Sequence, residues 1–195
     1  HVTLVTGSRE NFKITTNEDV IMAERLLAPQ RETRTGFGYD VHAFDPAPAS
    51  SIRLGGIDIP YTQKLLGHSD ADVILHALTD ALLGTIGSGD IGQLFPPSDP
   101  QWKGADSEIF LREAVRRVRA KDGIITHADI TVIAEAPKIG PHREAMQQRI
   151  ASMLGLEPQR VGLKATTSEG LGFTGRKEGI VAQAVATVTL PVEQS

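Results

Sequence analysis

Cysteine is absent from this 195-residue sequence, which excludes disulfides, thiolate nucleophiles and zinc sites built from cysteine. Long apolar runs are absent too, since no stretch approaches the ~20 residues that a membrane-spanning helix needs. The N-terminal residues lack the charged-then-apolar order of a signal peptide. We therefore expect a soluble cytoplasmic protein with no membrane partner, in which any metal is held by histidine and carboxylate.

A strong excess of charge of either sign is also missing. The 20 basic and 24 acidic residues give a net charge of -4, so a broad nucleic-acid footprint has no electrostatic support. An anionic small molecule would need a local cationic site. The length allows one well-buried catalytic domain with a surplus segment.

The hydrophobic periodicity predicts an α+β fold. Alternation from Thr35 to His42 indicates a strand, with Phe37, Tyr39 and Val41 on one face and Asp40 and His42 on the other. Because helices and hairpins are grouped, we expect a two-layer sandwich of a mixed sheet with helices on one face. Further helices are predicted at 69–83, 107–121 and 141–154, a hairpin around Gly55-Gly56, and strands around Ile130, at VGLKATT and at IVAQAVATVTL.

The first thirty residues are predicted to be a strand and a helix, the helix being capped by Thr16 or Asn17 and ending at Leu27. The polar residues 28–34, which include Pro29, are predicted to be a linker. The chain starts at His1 and not at Met, so we expect residues 1–34 to be the end of an upstream unit plus a linker. Residues 35–195 would be the catalytic domain.

Asp40, His42 and His76 are candidate metal ligands. The strand puts Asp40 and His42 on one face, and His76 falls opposite the apolar stripe of its predicted helix, with Asp72 and Asp80 one turn to either side to orient the imidazole. One oxygen and two nitrogens form a ligand set that catalytic zinc uses with a position left open. Spacing alone equally allows a solvated helix histidine and a strand end without a metal.

Three loops are candidates for binding a phosphorylated substrate. The segment KATTSEGLGFTGR at 164–176 offers hydroxyls, glycines and Arg176 for a phosphate, and Glu169 for a hard cation such as Mg²⁺. No Walker pattern is present, so this is not a P-loop. Lys138 could meet a phosphate or a base, and residues 89–99 could line a polyol pocket. Each loop also has an alternative interpretation as an ordinary solvated loop.

Taken together, several motifs resemble the 2-C-methyl-D-erythritol 2,4-cyclodiphosphate synthase family in order and spacing from about Thr35 through Pro191. They are D-V-H at 40–42, G-G-I-D-I-P at 55–60, H-S-D-A-D-V-I-L-H at 68–76, G-D-I-G-Q-L-F-P at 89–96, K-G-A-D-S at 103–107, A-P-K at 136–138 and K-A-T-T-S-E-G-L-G-F-T-G-R at 164–176. The resemblance implies a homotrimer with active sites between subunits. It also implies a reaction that turns 4-diphosphocytidyl-2-C-methyl-D-erythritol 2-phosphate into the cyclic diphosphate and CMP, in non-mevalonate isoprenoid synthesis.

The same resemblance implies a role for each matching residue. Zinc falls to Asp40, His42 and His76, a second divalent ion (Mg²⁺ or Mn²⁺) to Glu169, and transition-state support to His68 and Thr167. Substrate contacts fall to Ser69, Asp90, Ile91, Gly92, Phe95, Asp99, Phe173 and Arg176. The cytidine pocket falls to Ala134, Pro137, Lys138, Ile139, Gly140, Ala165, Thr166 and Thr167.

The segment VTGSRENFKITTNEDVIMAERLL resembles the end of 2-C-methyl-D-erythritol 4-phosphate cytidylyltransferase. That enzyme's nucleotide-binding regions have no counterpart here, so we expect a bifunctional parent but no cytidylyltransferase activity in this chain. Two other functions stay open at this point. One is a non-catalytic module with a closed structural zinc site, and the other is a metal-dependent phosphohydrolase that releases inorganic phosphate.

Overall fold

The computed structural model describes residues 1–3, 5–8, 12–27 and 30–192. The helices are α1 (Asn17–Leu27), α2 (Val73–Thr85), α3 (Ile91–Leu94), α4 (Ser107–Ala120), α5 (Arg143–Leu154) and α6 (Gly172–Gly175). The strands are β1 (Arg31–Pro48), β2 (Ser51–Leu54), β3 (Ile57–Pro60), β4 (Gln63–Leu65), β5 (Ile124–Ile133), β6 (Val161–Thr166) and β7 (Gly179–Pro191).

The main sheet has five strands in the order β4-β1-β7-β5-β6, and β2 and β3 form a separate hairpin. The β5-β6 pair is parallel and the other pairs are antiparallel. Helix α2 packs on β1 and β7, α4 packs on α2, and α5 packs beside β6. The predicted α+β fold with a mixed sheet is therefore confirmed, as is the hairpin that turns at Gly55-Gly56.

Glycines in β1 decide how closely α2 approaches the sheet. A Cβ atom at Gly38 would lie 1.9 Å from the Ala77 carbonyl oxygen, and one at Gly36 would lie 2.0 Å from the Ala81 carbonyl oxygen. The backbones of α2 and β1 are thus in contact at positions that only glycine allows. This contact brings the side chains that follow on the same face of β1 next to those of α2.

The apolar face of β1 points away from this core. Phe37, Tyr39 and Val41 are 61%, 48% and 42% exposed, whereas the intervening Gly36 and Gly38 are buried under α2. Alternation predicted the strand correctly. An apolar stripe of this size on the open face of a sheet is typical of a surface that another molecule covers.

Helix α2 begins at Val73 and not at Ser69, because Asp72 caps it. The Asp72 carboxylate accepts hydrogen bonds from the amides of Ile74 and Leu75 at 3.1 and 3.2 Å, and from the amides of Gly55 and Gly56 at 2.9 and 2.7 Å. This buried side chain therefore ties the start of α2 to the turn of the β2-β3 hairpin.

The N-terminal segment agrees with the prediction only in part. Helix α1 is confirmed, but the described residues before it contain no strand. Leu4 and residues 9–11, within the predicted strand and turn, and residues 28 and 29 of the predicted linker lie outside the described ranges. No described helix is long and apolar enough to cross a membrane.

The C-terminal half of the predicted linker is wrong. Arg31 to Arg34 belong to β1 and pair with β7, Arg31 lying opposite Pro191. Besides this backbone pairing, Arg31 Nη2 donates hydrogen bonds to the carbonyl oxygens of Asp122 and Thr189, at 2.6 and 2.8 Å. A charged sequence can form a strand when its side chains bind neighbouring carbonyls.

Candidate active site

Asp40, His42 and His76 come together where β1 meets α2. The Asp40 Oδ2 atom is 3.1 Å from His42 Nε2 and 3.0 Å from His76 Nδ1, and these two nitrogens are 3.2 Å apart. Tetrahedral zinc with ligands at ~2.0 Å has ligand atoms about 3.3 Å apart. The three atoms therefore have the spacing of a zinc-binding face, and they are the only such group of three in the described part of the chain.

The outer nitrogen of each imidazole already has a partner. His42 Nδ1 is 2.6 Å from the Leu66 carbonyl oxygen, and His76 Nε2 is 2.8 Å from Ser107 Oγ and 3.1 Å from Ser69 Oγ. A ring nitrogen that faces a carbonyl oxygen carries the proton, which leaves the other nitrogen with a lone pair. His42 thus directs the lone pair of Nε2 beside the Asp40 carboxylate, and His76 places Nδ1 on the same side with its Nε2 against the two hydroxyls, so that both nitrogens are placed where they could bind a metal.

The electrostatics of the cluster favour a negatively charged Asp40. Burial acts to raise the pKa of Asp40. When His42 Nε2 and His76 Nδ1 carry protons in place of a metal, their hydrogen bonds and charges outweigh burial and hold the pKa of Asp40 well below its ordinary value. Burial acts to lower the pKa of His42, while the hydrogen bond and charge of Asp40 and the Leu66 carbonyl raise it above the ordinary value. An ionised carboxylate between two imidazoles is suited to a cation.

The predicted surroundings of His76 are wrong in two respects. The side chain is not on a solvated face, because α2 is buried on nearly all sides and His76 is only 9% exposed. Asp72 and Asp80 do not orient its ring. Asp72 caps α2, and Asp80 accepts a hydrogen bond from the Ile91 amide at 2.8 Å, so each carboxylate fixes backbone instead.

A cavity of about 180 Å³ opens above the cluster. The predicted residues that line it include Asp40, His42, His68, Ser69, His76, Ile91, Gly92 and Phe95. Trp102 and Phe110, to which the sequence assigned no role, also line the cavity. The ring centre of Phe95 lies 5.0 Å from that of Trp102 and 4.5 Å from that of Phe110. Pro97 is also part of the wall.

Two predicted substrate contacts lie in the loops around this cavity without lining it. Asp90 caps α3 by accepting a hydrogen bond from the Gln93 amide at 2.8 Å. Asp99 accepts one from the Gln101 amide at 3.0 Å and so starts the short 3-10 turn that carries Trp102. In this structure both carboxylates shape the loops that hold Ile91, Gly92 and the aromatic wall.

The residues predicted for the cytidine pocket form a second group at the ends of β5 and β6. Because these strands are parallel, both end at the same edge of the sheet. The Ala134 amide donates to the Thr166 carbonyl at 3.0 Å. Ala134, Pro137 and Ile139 are buried, whereas Lys138, Gly140, Ala165 and Thr166 are exposed. The structure thus brings the predicted cytidine-pocket residues together at this edge of the sheet, some of them buried and some exposed.

The loop that follows β6 extends this second group. Thr167 Oγ1 donates to Glu169 Oε1 at 2.8 Å, and Arg176 Nε donates to Glu178 Oε1 at 2.8 Å. Glu135, to which the sequence assigned no function, accepts hydrogen bonds from the amides of Ser168 and Gly170, both at 3.2 Å. It therefore joins this loop to the cytidine-pocket loop at 134–140.

The two groups do not form one pocket within this chain. Within the described part of the chain, no residue of 134–140 or 164–176 lines the cavity above the metal cluster. Pockets that hold ligands of ordinary drug size measure about 300–1,000 Å³, so the cavity of about 180 Å³ is too small for a nucleotide-linked substrate. Phe173, which is 38% exposed, and Lys138 face the surface.

Comparisons with known proteins agree with the fold. Residues 33–189 match the YgbB family. The bifunctional enzyme IspD/IspF of Mesorhizobium japonicum is 56% identical over an alignment of 196 positions. This alignment covers 98% of this chain and 48% of that enzyme. The structure of bifunctional IspDF from Campylobacter jejuni has a TM-score of 0.79 and 40% identity, covering 95% of this chain and 50% of that one.

A solved 2C-methyl-D-erythritol-2,4-cyclodiphosphate synthase in its CDP-bound form has a TM-score of 0.73 and 41% identity, and the match covers 80% of this chain and 99% of that one. This chain spans about half the length of the bifunctional relatives but almost the whole length of the synthase. The family resemblance seen in the motifs is confirmed: the chain belongs to the YgbB family, with its family domain at residues 33–189.

Proposed function

We propose that the chain is a 2-C-methyl-D-erythritol 2,4-cyclodiphosphate synthase that converts 4-diphosphocytidyl-2-C-methyl-D-erythritol 2-phosphate into the cyclic diphosphate and CMP. The observation that carries the proposal is the triangle of ligand atoms from Asp40, His42 and His76 beneath a cavity with His68 and Ser69 in its wall. The match along almost the whole length of a cyclodiphosphate synthase supports it.

The reaction joins two ends of one molecule. An oxygen of the 2-phosphate attacks the β-phosphorus, the bond between that phosphorus and the bridging oxygen breaks, and CMP leaves with this oxygen. Holding the two phosphates in contact and neutralising their charge accounts for most of such catalysis. This role explains why the site presents ligands and hydrogen-bond donors and has no nucleophile activated by a base.

The residues have separable tasks in this proposal. Asp40, His42 and His76 would hold zinc, which supplies a Lewis acid for phosphate oxygens. His68 and Ser69, in the wall of the cavity, would orient the diphosphate. Glu169 supplies a single carboxylate, which is too few ligands to hold a divalent ion alone. We therefore assign it to a second divalent ion, Mg²⁺ or Mn²⁺, whose other ligands would include substrate oxygens. Thr167 is hydrogen-bonded to Glu169 and would contact the same phosphate.

The remaining residues would bind the cytidine and the polyol. In this proposal the buried Ala134, Pro137 and Ile139 would lie beneath the base, and the exposed Lys138 would approach a phosphate. The CDP-bound relative supports a cytidine nucleotide as the ligand. Arg176 Nε donates to Glu178 Oε1 at 2.8 Å, and because this ion pair is exposed the guanidinium can leave it to bind a substrate phosphate.

We also propose a homotrimer in which each active site lies between two subunits. Two observations support it. The cytidine group and the metal group do not share a pocket in one chain, and the open sheet face carries the exposed Phe37, Tyr39 and Val41. A neighbouring subunit against that face would cover the apolar stripe and complete the site.

Product analysis tests the proposed activity. We expect the chain, incubated with 4-diphosphocytidyl-2-C-methyl-D-erythritol 2-phosphate and divalent metal, to release one CMP for each cyclic diphosphate formed, as measured by phosphorus NMR. Release of inorganic phosphate would show a phosphohydrolase instead. Tight zinc binding with no turnover of this substrate would indicate a structural zinc module.

We propose in addition that the residues before β1 are the end of a cytidylyltransferase unit plus a linker, and that the parent protein is bifunctional. The match that covers 98% of this chain within a bifunctional relative supports this. Helix α1 carries Ile21, Met22 and Leu26 at 50%, 57% and 51% exposure, so it lacks the burial that would stabilise it as part of the synthase.

Deleting residues 1–29 should therefore leave the rate of CMP release within about twofold of the full chain, because β1 and its pairing with β7 are retained. The full chain should form no cytidine diphosphate product from CTP. Both results are measured by chromatography of the nucleotides. A large loss of CMP release in a deletion variant that still forms trimers and binds zinc would place this segment in the synthase active site.

A further inference from the structure

Ser107, the first residue of α4, contacts the metal cluster from behind. Its Oγ lies 2.8 Å from His76 Nε2, the nitrogen that faces away from Asp40 and His42. The residue is fully buried, so this contact is shielded from water. Ser107 ends the K-G-A-D-S motif at 103–107, but the sequence assigned it no role, and it lies 31 residues beyond His76 in the chain.

Asp70 determines the direction of the Ser107 hydrogen bond. The Ser107 hydroxyl lies against Asp70 Oδ1, and the Ser107 amide donates to Asp70 Oδ2 at 3.1 Å. A carboxylate can only accept, so the hydroxyl proton goes to Asp70. Ser107 Oγ must then accept the proton of His76 Nε2.

Asp70 is itself held in place by several groups. It accepts a hydrogen bond from the Asp72 amide at 3.2 Å, and its own amide donates to the Ala105 carbonyl at 3.0 Å. Arg53 Nε is 3.9 Å away, and the same guanidinium is 3.3 Å from Asp106. The carboxylate therefore has little freedom to turn away from Ser107.

We infer that Ser107 and Asp70 are positioning residues that fix the tautomer of His76. With the proton held on Nε2, Nδ1 keeps its lone pair. This lone pair is directed at the position between Asp40 Oδ2 and His42 Nε2 where a metal would bind. This inference rests on the proposed metal site. It identifies two residues that strengthen metal binding there without being ligands. Hydrogen-bond partners of metal-binding histidines typically change metal affinity about 10–100-fold when they are removed.

Zinc competition against a chromophoric chelator tests the inference with two variants. Ser107→Ala removes the acceptor, and zinc should bind about 10–100-fold more weakly. Asp70→Asn keeps the volume, but an amide can accept on one side only, so it cannot satisfy both the hydroxyl and the amide of Ser107. We expect a loss of about 10-fold for this variant, because Ser107 Oγ remains 2.8 Å from His76 Nε2 and can still accept the proton, although its orientation is no longer fixed.

Thr79→Val is the matched control. Thr79 is a buried hydroxyl residue on α2 that donates to the Leu75 carbonyl at 2.7 Å and does not contact the cluster. It should bind zinc like the unmodified chain. Nitrogen-15 NMR of the imidazoles gives a second readout that packing does not move: His76 should show a proton on Nε2 in the unmodified chain and a mixture of tautomers in Ser107→Ala.

The outcomes separate this inference from the proposed function. If the unmodified chain binds zinc and both folded variants bind it equally well, the positioning role is overturned while the metal site stands. If the unmodified chain binds no zinc, the metal site itself fails and the inference falls with it. Should Ser107→Ala not fold, the Asp70→Asn affinity and spectrum decide the question.

Discussion

Replacing His76 by alanine should lower the rate of CMP release about 10³-fold while the chain keeps its fold. The His76 ring supplies one of three ligand atoms that lie within 3.2 Å of one another. Two remaining ligands bind a metal weakly, and Lewis-acid stabilisation of a phosphoryl transition state is worth several kcal/mol. A loss of about 4 kcal/mol corresponds to about 10³-fold in rate.

The measurement pairs single-turnover CMP release with elemental analysis of bound zinc. His127→Ala is the control, because His127 is an exposed strand histidine outside the cluster. It should keep both zinc and rate. Circular dichroism shows whether each variant is folded. A folded His76→Ala variant that retains zinc and full CMP release would refute the assignment of the metal ligands.

The longer helices and strands of the family domain followed from periodicity because local patterns decide them, whereas the short β4, α3 and α6 were not predicted. Helix α4 and the β2-β3 hairpin were predicted to within one or two residues, since a cap or a pair of glycines marks their ends. The boundaries that were wrong depend on distant contacts. Asp72 shortens α2 by binding the hairpin turn, and Arg31 lengthens β1 by binding the carbonyls of Asp122 and Thr189.

Sequence patterns could not show which face of β1 is buried. Alternation places Phe37, Tyr39 and Val41 together, and burial of the apolar face is the usual outcome. Here the glycine face is buried, because only glycine lets α2 approach to within van der Waals contact of the strand. The proposed metal ligands Asp40 and His42 share the glycine face, so the same feature that exposes the apolar stripe directs them toward His76.

The cluster of Asp40, His42 and His76 was predictable from the sequence, and the residues that support it were not. Asp40, His42 and His76 carry side chains that ligate metals, and family motifs mark them. Ser107 and Asp70 are common residue types whose role depends on α4 meeting α2, a contact that no local pattern encodes. The aromatic wall of Trp102 and Phe110 likewise forms only when the loop before α4 folds over the cavity.

The geometry of the two half-sites leads to a quantitative expectation for mixed trimers. Lys138→Ala damages the cytidine half of a subunit, and His76→Ala damages its metal half. If each site combines the metal half of one subunit with the cytidine half of the next, a site is intact when a Lys138→Ala subunit supplies the metal half and a His76→Ala subunit the cytidine half. Random mixing in equal amounts then gives about a quarter of the sites intact.

We therefore expect two nearly inactive variants to recover about a quarter of the unmodified activity after dissociation and reassembly as mixed trimers. Mixing without subunit exchange is the control and should recover nothing. Size-exclusion chromatography with light scattering establishes the trimer, and mass spectrometry of differently tagged variants establishes the mixing. Mixed trimers that form but stay as inactive as either parent would mean that both halves of a site belong to one subunit. The cytidine loops would then have to move over the metal cavity of their own chain, although in this structure Glu135 holds the loop after β6 against the cytidine-pocket loop, away from that cavity.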